Sequence, residues 1–120
     1  MKSVLIVDDS QIIRNGLRSL FEREGWEVCG DAADGQQAIT QALESRPQVV
    51  VLDFAMPVMN GLTAARILKK VVPGAHLILF SISGDLLKPE ELRSAGFAAV
   101  VPKSQVRSLL DKAQGLVDDA

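Results

Sequence analysis

Two short apolar runs, Val4-Leu5-Ile6-Val7 and Val49-Val50-Val51-Leu52, limit the fold more than any other feature of the chain. Each is continuous rather than alternating, as expected of a strand covered on both faces, and each ends abruptly on a carboxylate. Asp8-Asp9 follows the first and Asp53 the second. Further strand-like runs lie at Glu27–Gly30, Leu77–Phe80 and Ala98–Val101. Stretches with helical spacing separate them. Ile13, Leu17, Leu20 and Phe21 form one apolar stripe ending near Gly25; Ala38, Ile39, Ala42 and Leu43 form a second. A third, through Leu62, Ala65, Leu68 and Val72, is closed by Pro73-Gly74. The fourth starts at Pro89, carries Glu90-Glu91 in its first turn and stops at Gly96. Ser104 is the expected N-cap of the last, which runs through Val106, Leu109, Leu110, Ala113 and Leu116. Strict alternation predicts an α/β domain, (βα)5, with a parallel sheet between two helical layers. Residues 1–120 read as one domain, with no output domain in this chain. Composition does not give the strand order.

Several classes of function are excluded early. The 120 residues are 48% apolar and 23% charged, with a net charge of −2, so this segment offers no basic surface for nucleic acid. Cys29 is the one cysteine, which rules out an internal disulfide and a cysteine metal cage; it reads as a small hydrophobe within a strand. His76 is the one histidine and precedes strand four, away from the carboxylates. No apolar run approaches the ~20 residues needed to span a bilayer, and the start lacks a signal-peptide pattern. A cytoplasmic protein without a membrane partner is expected. Asp8-Asp9-Ser10 stands where a glycine-rich nucleotide cradle would be needed.

In an open parallel sheet the carboxyl ends of the strands converge on one crevice, where ligands bind. Asp8, Asp9 and Asp53 fall there, Ser81 ends strand four and Lys103 follows strand five. Singly, each has an ordinary explanation: a helix cap, a turn residue, a solvated strand-end charge. Together they match phosphoryl transfer to a carboxylate. Asp53 is the candidate nucleophile, and Asp8 and Asp9 are candidate ligands of Mg²⁺, a hard ion that prefers oxygen donors. Lys103 would neutralise charge on the phosphoryl oxygens, and Ser81 would donate a hydrogen bond to one of them.

Over nearly its full length the chain resembles a response-regulator receiver domain of two-component signalling. The resemblance is carried by Val-Leu-Ile-Val-Asp-Asp-Ser at 4–10, Asp-Phe-Ala-Met-Pro-Val-Met-Asn-Gly at 53–61, Ser81 and Lys103. It implies a flavodoxin-like, doubly wound sheet of order 2-1-3-4-5. It also implies that Asp53 is the phosphoacceptor, Asp9 a direct Mg²⁺ ligand, Asp8 a ligand largely through water, and the Ala55 carbonyl the remaining protein ligand. The implied donor is a sensor histidine kinase or phosphotransfer protein. The implied output is a shift of the helix 4–strand 5–helix 5 face, which is also the expected place for a homodimer; DNA enters only through a further output domain. The domain would promote its own phosphorylation and dephosphorylation without being an enzyme in the usual sense.

The chain departs from the family at four points. Val100 stands where an aromatic switch residue is usual, and there is no tyrosine. Ile82 replaces a small residue after Ser81 and is expected to narrow access to Asp53. Ser104 replaces a proline after Lys103. Ala55 and Ser83 offer little chemistry to orient or block water. Three other functions compete with this reading: a haloacid-dehalogenase-type phosphatase, which would need Asp-x-Asp after the first strand; a flavodoxin-like electron carrier, whose FMN the acidic pair would repel; and a pseudo-receiver acting as a phosphorylation-independent binding module.

Overall fold

The computed structural model describes residues 2–82 and 87–118. Five strands and five helices alternate: β1 (Ser3–Val7), α1 (Gln11–Arg23), β2 (Glu27–Ala32), α2 (Gly35–Ser45), β3 (Val49–Leu52), α3 (Gly61–Val71), β4 (His76–Ser81), α4 (Pro89–Ala95), β5 (Phe97–Pro102) and α5 (Val106–Asp118). All four strand pairings are parallel, and the order is β2-β1-β3-β4-β5. This is the flavodoxin-like (βα)5 architecture that the resemblance implies.

The alternation of side chains along each strand divides the core into two layers. Leu5, Val7, Val50, Leu52, Leu77 and Leu79 face α2, α3 and α4, where Ala38, Ala42, Leu62, Ala65, Leu68 and Ala95 meet them. Val4, Ile6, Val49, Val51, Ile78 and Phe80 face α1 and α5, against Leu17, Phe21, Leu109, Leu110 and Ala113. Val4–Val7 and Val49–Leu52 are buried throughout, which explains why these runs are apolar without interruption. Burying each Leu or Val contributes roughly 1.5–3 kcal/mol. Phe21 and Trp26 close one end of the second layer, edge to face, with ring centroids 5.3 Å apart.

The helices begin where their caps dictate. Ser10, Asp34 and Asn60 each accept a hydrogen bond from the third amide of the following helix. Pro89 opens α4, and Gly96, at φ +98°, closes it. One expected cap moves: α5 starts at Val106, two residues beyond Ser104. The Gln105 amide bonds back to the Pro102 carbonyl, so Ser104 lies in a turn, and Gln105, whose carbonyl accepts from the Leu109 amide, precedes the helix. Cys29 is half-buried on β2, its thiol donating to the Val4 carbonyl. Among the described residues no helix is long and apolar enough to cross a membrane.

Candidate functional site

Strand register assembles the site. Val7 pairs with both Ala32 and Leu52, so Asp8 and Asp53 leave the sheet side by side as the next residues of β1 and β3. Their amides continue the ladder, Asp8 N–H to the Ala32 carbonyl at 3.0 Å and Asp53 N–H to the Val7 carbonyl at 3.0 Å. Ser81 ends β4 opposite Pro102, and Lys103 follows directly. Sequence order alone separates these groups by dozens of residues; the parallel sheet puts them at one mouth.

Asp8, Asp53 and Ser81 are buried, at 2%, 4% and 2% exposure, while Asp9 is exposed. The carboxylates of Asp8, Asp9 and Asp53 each offer an oxygen within 4.8 Å of the others. The Lys103 ammonium reaches in from the β5–α5 turn, 2.7 Å from Asp8 Oδ2 and 3.3 Å from Asp53 Oδ2. Asp8 Oδ1 accepts from the Ser10 amide at 2.9 Å, and Asp53 Oδ1 from the Phe54 amide at 2.8 Å. Despite the proximity of Lys103, Asp8 Oδ2 has no aligned hydrogen bond, and the contact is an ion pair.

The electrostatics are unbalanced by design of the fold. Burial, reinforced by the neighbouring Asp8 carboxylate, pushes the Asp53 carboxyl above its ordinary value; Lys103 and the Phe54 amide oppose that shift. Burial alone would lower the Lys103 ammonium, but its contacts with Asp8 and Asp53 outweigh burial and leave it raised. Lys103 therefore faces two buried carboxylates, with the exposed Asp9 carboxylate close beside them. An all-oxygen donor set with a buried oxygen lacking an aligned partner suits a hard divalent cation.

The loop after β3 is shaped to hold Asp53. The Gly61 amide bonds to the Phe54 carbonyl at 2.8 Å, and a Cβ at Gly61 would collide with the Asp53 carbonyl, so glycine alone lets α3 approach this closely. Met56 and Met59 pack against the core. Ala55 lies on the exposed part of this loop. Val58 has φ +74°, and the Met59 amide bonds to the Pro57 carbonyl across it, a tight γ-turn that strains a β-branched residue. Ile82 is 82% exposed at the rim, and Ser83 lies outside the described residues. Val100 is half-exposed on β5. His76 is the first residue of β4, at the opposite end of the sheet from the carboxylates.

Arg14 and its partner Asp31 carry no sequence signal strong enough to single them out. Arg14, on α1, donates to the Asp8 carbonyl at 2.6 Å, and its Nε faces Asp31 Oδ2 at 3.4 Å. An arginine beside Ile13, next to the apolar stripe of α1, is the available hint.

Comparisons with known proteins agree with the geometry. The family model described as "Response regulator receiver domain" matches residues 4–114. The chemotaxis protein CheY of Thermotoga maritima is 37% identical over 95 residues, 79% of each chain. Protein-glutamate methylesterase/protein-glutamine glutaminase 3 of Hahella chejuensis is 38% identical over 105 residues; these cover 85% of this chain but 30% of that protein. The CheY chain of the Borrelia burgdorferi CheX-CheY-BeF3-Mg+2 complex superposes with a TM-score of 0.86 at 26% identity, covering 97% of this chain and 89% of that one. With the fold, the acidic mouth and the family match in agreement, the chain belongs to the response regulator receiver domain family.

Proposed function

We propose that this domain accepts a phosphoryl group on Asp53 from a phosphohistidine of a sensor kinase or phosphotransfer protein, in a Mg²⁺-dependent reaction. The observation that carries the reading is the placement of Lys103 within 3.3 Å of two buried carboxylates, one of them Asp53, at the carboxyl edge of the sheet. An oxygen of the ionised Asp53 carboxylate attacks phosphorus; the P–O bond forms, the P–N bond breaks, and the imidazole, protonated at its other nitrogen, leaves neutral with the electron pair. Burial disfavours that ionised form, so Lys103 keeps it available and then faces the transferred oxygens. Ser81 donates to one of these oxygens. Asp8, Asp9, Asp53 and the Ala55 carbonyl are the groups that would hold Mg²⁺, which supplies charge neutralisation on the phosphoryl group when bound. Support for that ion comes from the oxygen-only donor set and from the Borrelia relative, whose complex is named with Mg²⁺ and BeF3.

As in other two-state switches, the acyl phosphate would bias an existing equilibrium of the α4–β5–α5 face rather than create a new state. That face is the proposed place for output contacts and for a homodimer. The single-domain reading of 1–120 and a cytoplasmic site of action belong to this proposal too, as does any route to DNA through a separate output domain. Intact-mass spectrometry after incubation with acetyl phosphate tests it. One phosphoryl adduct that requires Mg²⁺ and is lost in Asp53→Asn is expected. If neither acetyl phosphate nor a phosphorylated cognate kinase labels the chain, it is a pseudo-receiver.

A further inference from the structure

The Asp9 carboxylate is the exposed member of the acidic trio, and among the described residues no side chain pairs with it. Its direction is therefore set by its backbone, which means by the Asp8–Asp9 peptide. That peptide is gripped from one side. The Arg14 guanidinium donates to the Asp8 carbonyl at 2.6 Å, with its side chain only 15% exposed. Its Nε faces Asp31 Oδ2 at 3.4 Å, and Asp31 is held in turn by Arg18 at 3.8 Å. A planar guanidinium fixed at two edges cannot swing as a lysine would. The chain of contacts runs from β2, through α1, to the peptide that aims the acidic pair.

We propose that Arg14, braced by Asp31, is a positioning residue for the cation site formed by Asp8, Asp9 and Asp53, a role that rests on the Mg²⁺-dependent reading above. It touches neither the ion nor the phosphoryl group. Its effect passes through the Asp8 carbonyl to the geometry of the carboxylates.

Charge alone predicts the opposite result. Arg14 is a cation near a cation site, so removing its charge should tighten Mg²⁺ binding by simple Coulomb reasoning. Loss of positioning should weaken it, by about tenfold, the lower end of the effects that supporting hydrogen-bond partners exert on metal sites. Arg14→Lys separates the two further, since it keeps the charge but cannot hold the carbonyl and Asp31 together.

The experiment is calorimetric Mg²⁺ titration of the wild-type chain, Arg14→Met and Arg14→Lys, with thermal unfolding of each in EDTA. Both variants should bind Mg²⁺ about tenfold more weakly than wild type. Acetyl phosphate labelling of Asp53 should slow at low Mg²⁺ and recover at saturating Mg²⁺. Wild-type or tighter affinity in either folded variant overturns the proposal, even if stability falls, because a purely structural role would move only the unfolding temperature. Should Arg14→Met fail to fold, Arg14→Lys decides alone. A wild-type chain that binds no Mg²⁺ overturns the metal reading itself and this inference with it; a wild-type chain that binds it, beside unaffected variants, overturns only the inference.

Discussion

Lys103→Met removes the cation between two buried carboxylates while keeping most of the side chain's bulk. At an effective dielectric constant of about 20, unit charges 2.7 and 3.3 Å apart attract by roughly 6 and 5 kcal/mol. Most of that is offset by the desolvation of all three groups, and breaking a buried pair from one side typically costs ~3–5 kcal/mol. The Lys103 side chain is 17% exposed and so partly screened, which favours the lower figure, about 3 kcal/mol. At ~2.1 cal/mol/K per residue the entropy of unfolding of 120 residues is about 0.25 kcal/mol/K, so the melting temperature should fall by roughly 12 °C.

The pH dependence follows from the direction of the shifts. The Lys103 ammonium is raised in the folded state, so its contribution is complete at every pH below its unfolded value and lost only as pH rises through the folded one. Without it, the already raised Asp53 carboxyl must rise further. The deficit of the variant should then shrink as pH falls and Asp53 takes up a proton. Mg²⁺ replaces the missing cation and should recover part of the loss, ~2.7 kcal/mol at a concentration 100 times its dissociation constant. Differential scanning calorimetry in EDTA at pH 7.5 and 5, then with Mg²⁺, measures all three effects. A fall of less than about 3 °C in EDTA at pH 7.5, or a deficit that grows on acidification, would refute the electrostatic account.

Asp53→Asn should stabilise the metal-free domain at neutral pH. The raised Asp53 carboxyl opposes folding once pH passes its ordinary value, so urea midpoints in EDTA should favour the variant at pH 7.5 and converge near pH 3. Val58→Gly relieves a β-branched residue at φ +74°; a gain of about 1 kcal/mol is expected, less the extra freedom glycine has when unfolded, and a loss would show that Val58 makes contacts outweighing its strain. Ile82→Ala should speed both acetyl phosphate labelling of Asp53 and decay of the adduct; unchanged rates would mean that this exposed side chain does not screen the pocket.

Much of this molecule is legible from its residues because the period of the pattern and the length of each run agree. Val4–Val7 and Val49–Leu52 are too short for helices and too apolar for a surface strand, and they are the buried centre of the sheet. Asp8, Asp53, Ser81 and Lys103 fall together because parallel strands put like ends at one edge. The α5 boundary was less legible: Ser104 has the chemistry of a cap, yet the turn after Pro102 uses it before the helix begins at Val106. Arg14 was hidden for a different reason. Its function lies in which carbonyl it reaches, and a contact between a side chain and a distant peptide leaves no period in the sequence. Val58 was hidden likewise, since a positive φ at a β-branched residue contradicts local preference and only the surrounding loop enforces it.

Strain and uncompensated charge are therefore concentrated at one end of this domain. At the carboxyl edge sit two buried carboxylates sharing one lysine, and a valine in a γ-turn. At the opposite edge the special conformations have ordinary causes: Gly25 at φ +85° follows α1, and Arg46 at φ +51° caps α2. Each feature at the carboxyl edge weakens the resting fold, and two of the substitutions above should strengthen it by removing one. Such features persist where the surrounding structure over-determines them, here two apolar layers packed on a sheet whose central strands are buried. A pocket short of positive charge is also one that gains most from taking up a cation, and a phosphoryl group on Asp53 would deepen that demand. The cost of holding two buried carboxylates beside one lysine and the demand for a cation have the same physical source. A domain redesigned for stability at Asp53 and Val58 should accordingly be harder to switch.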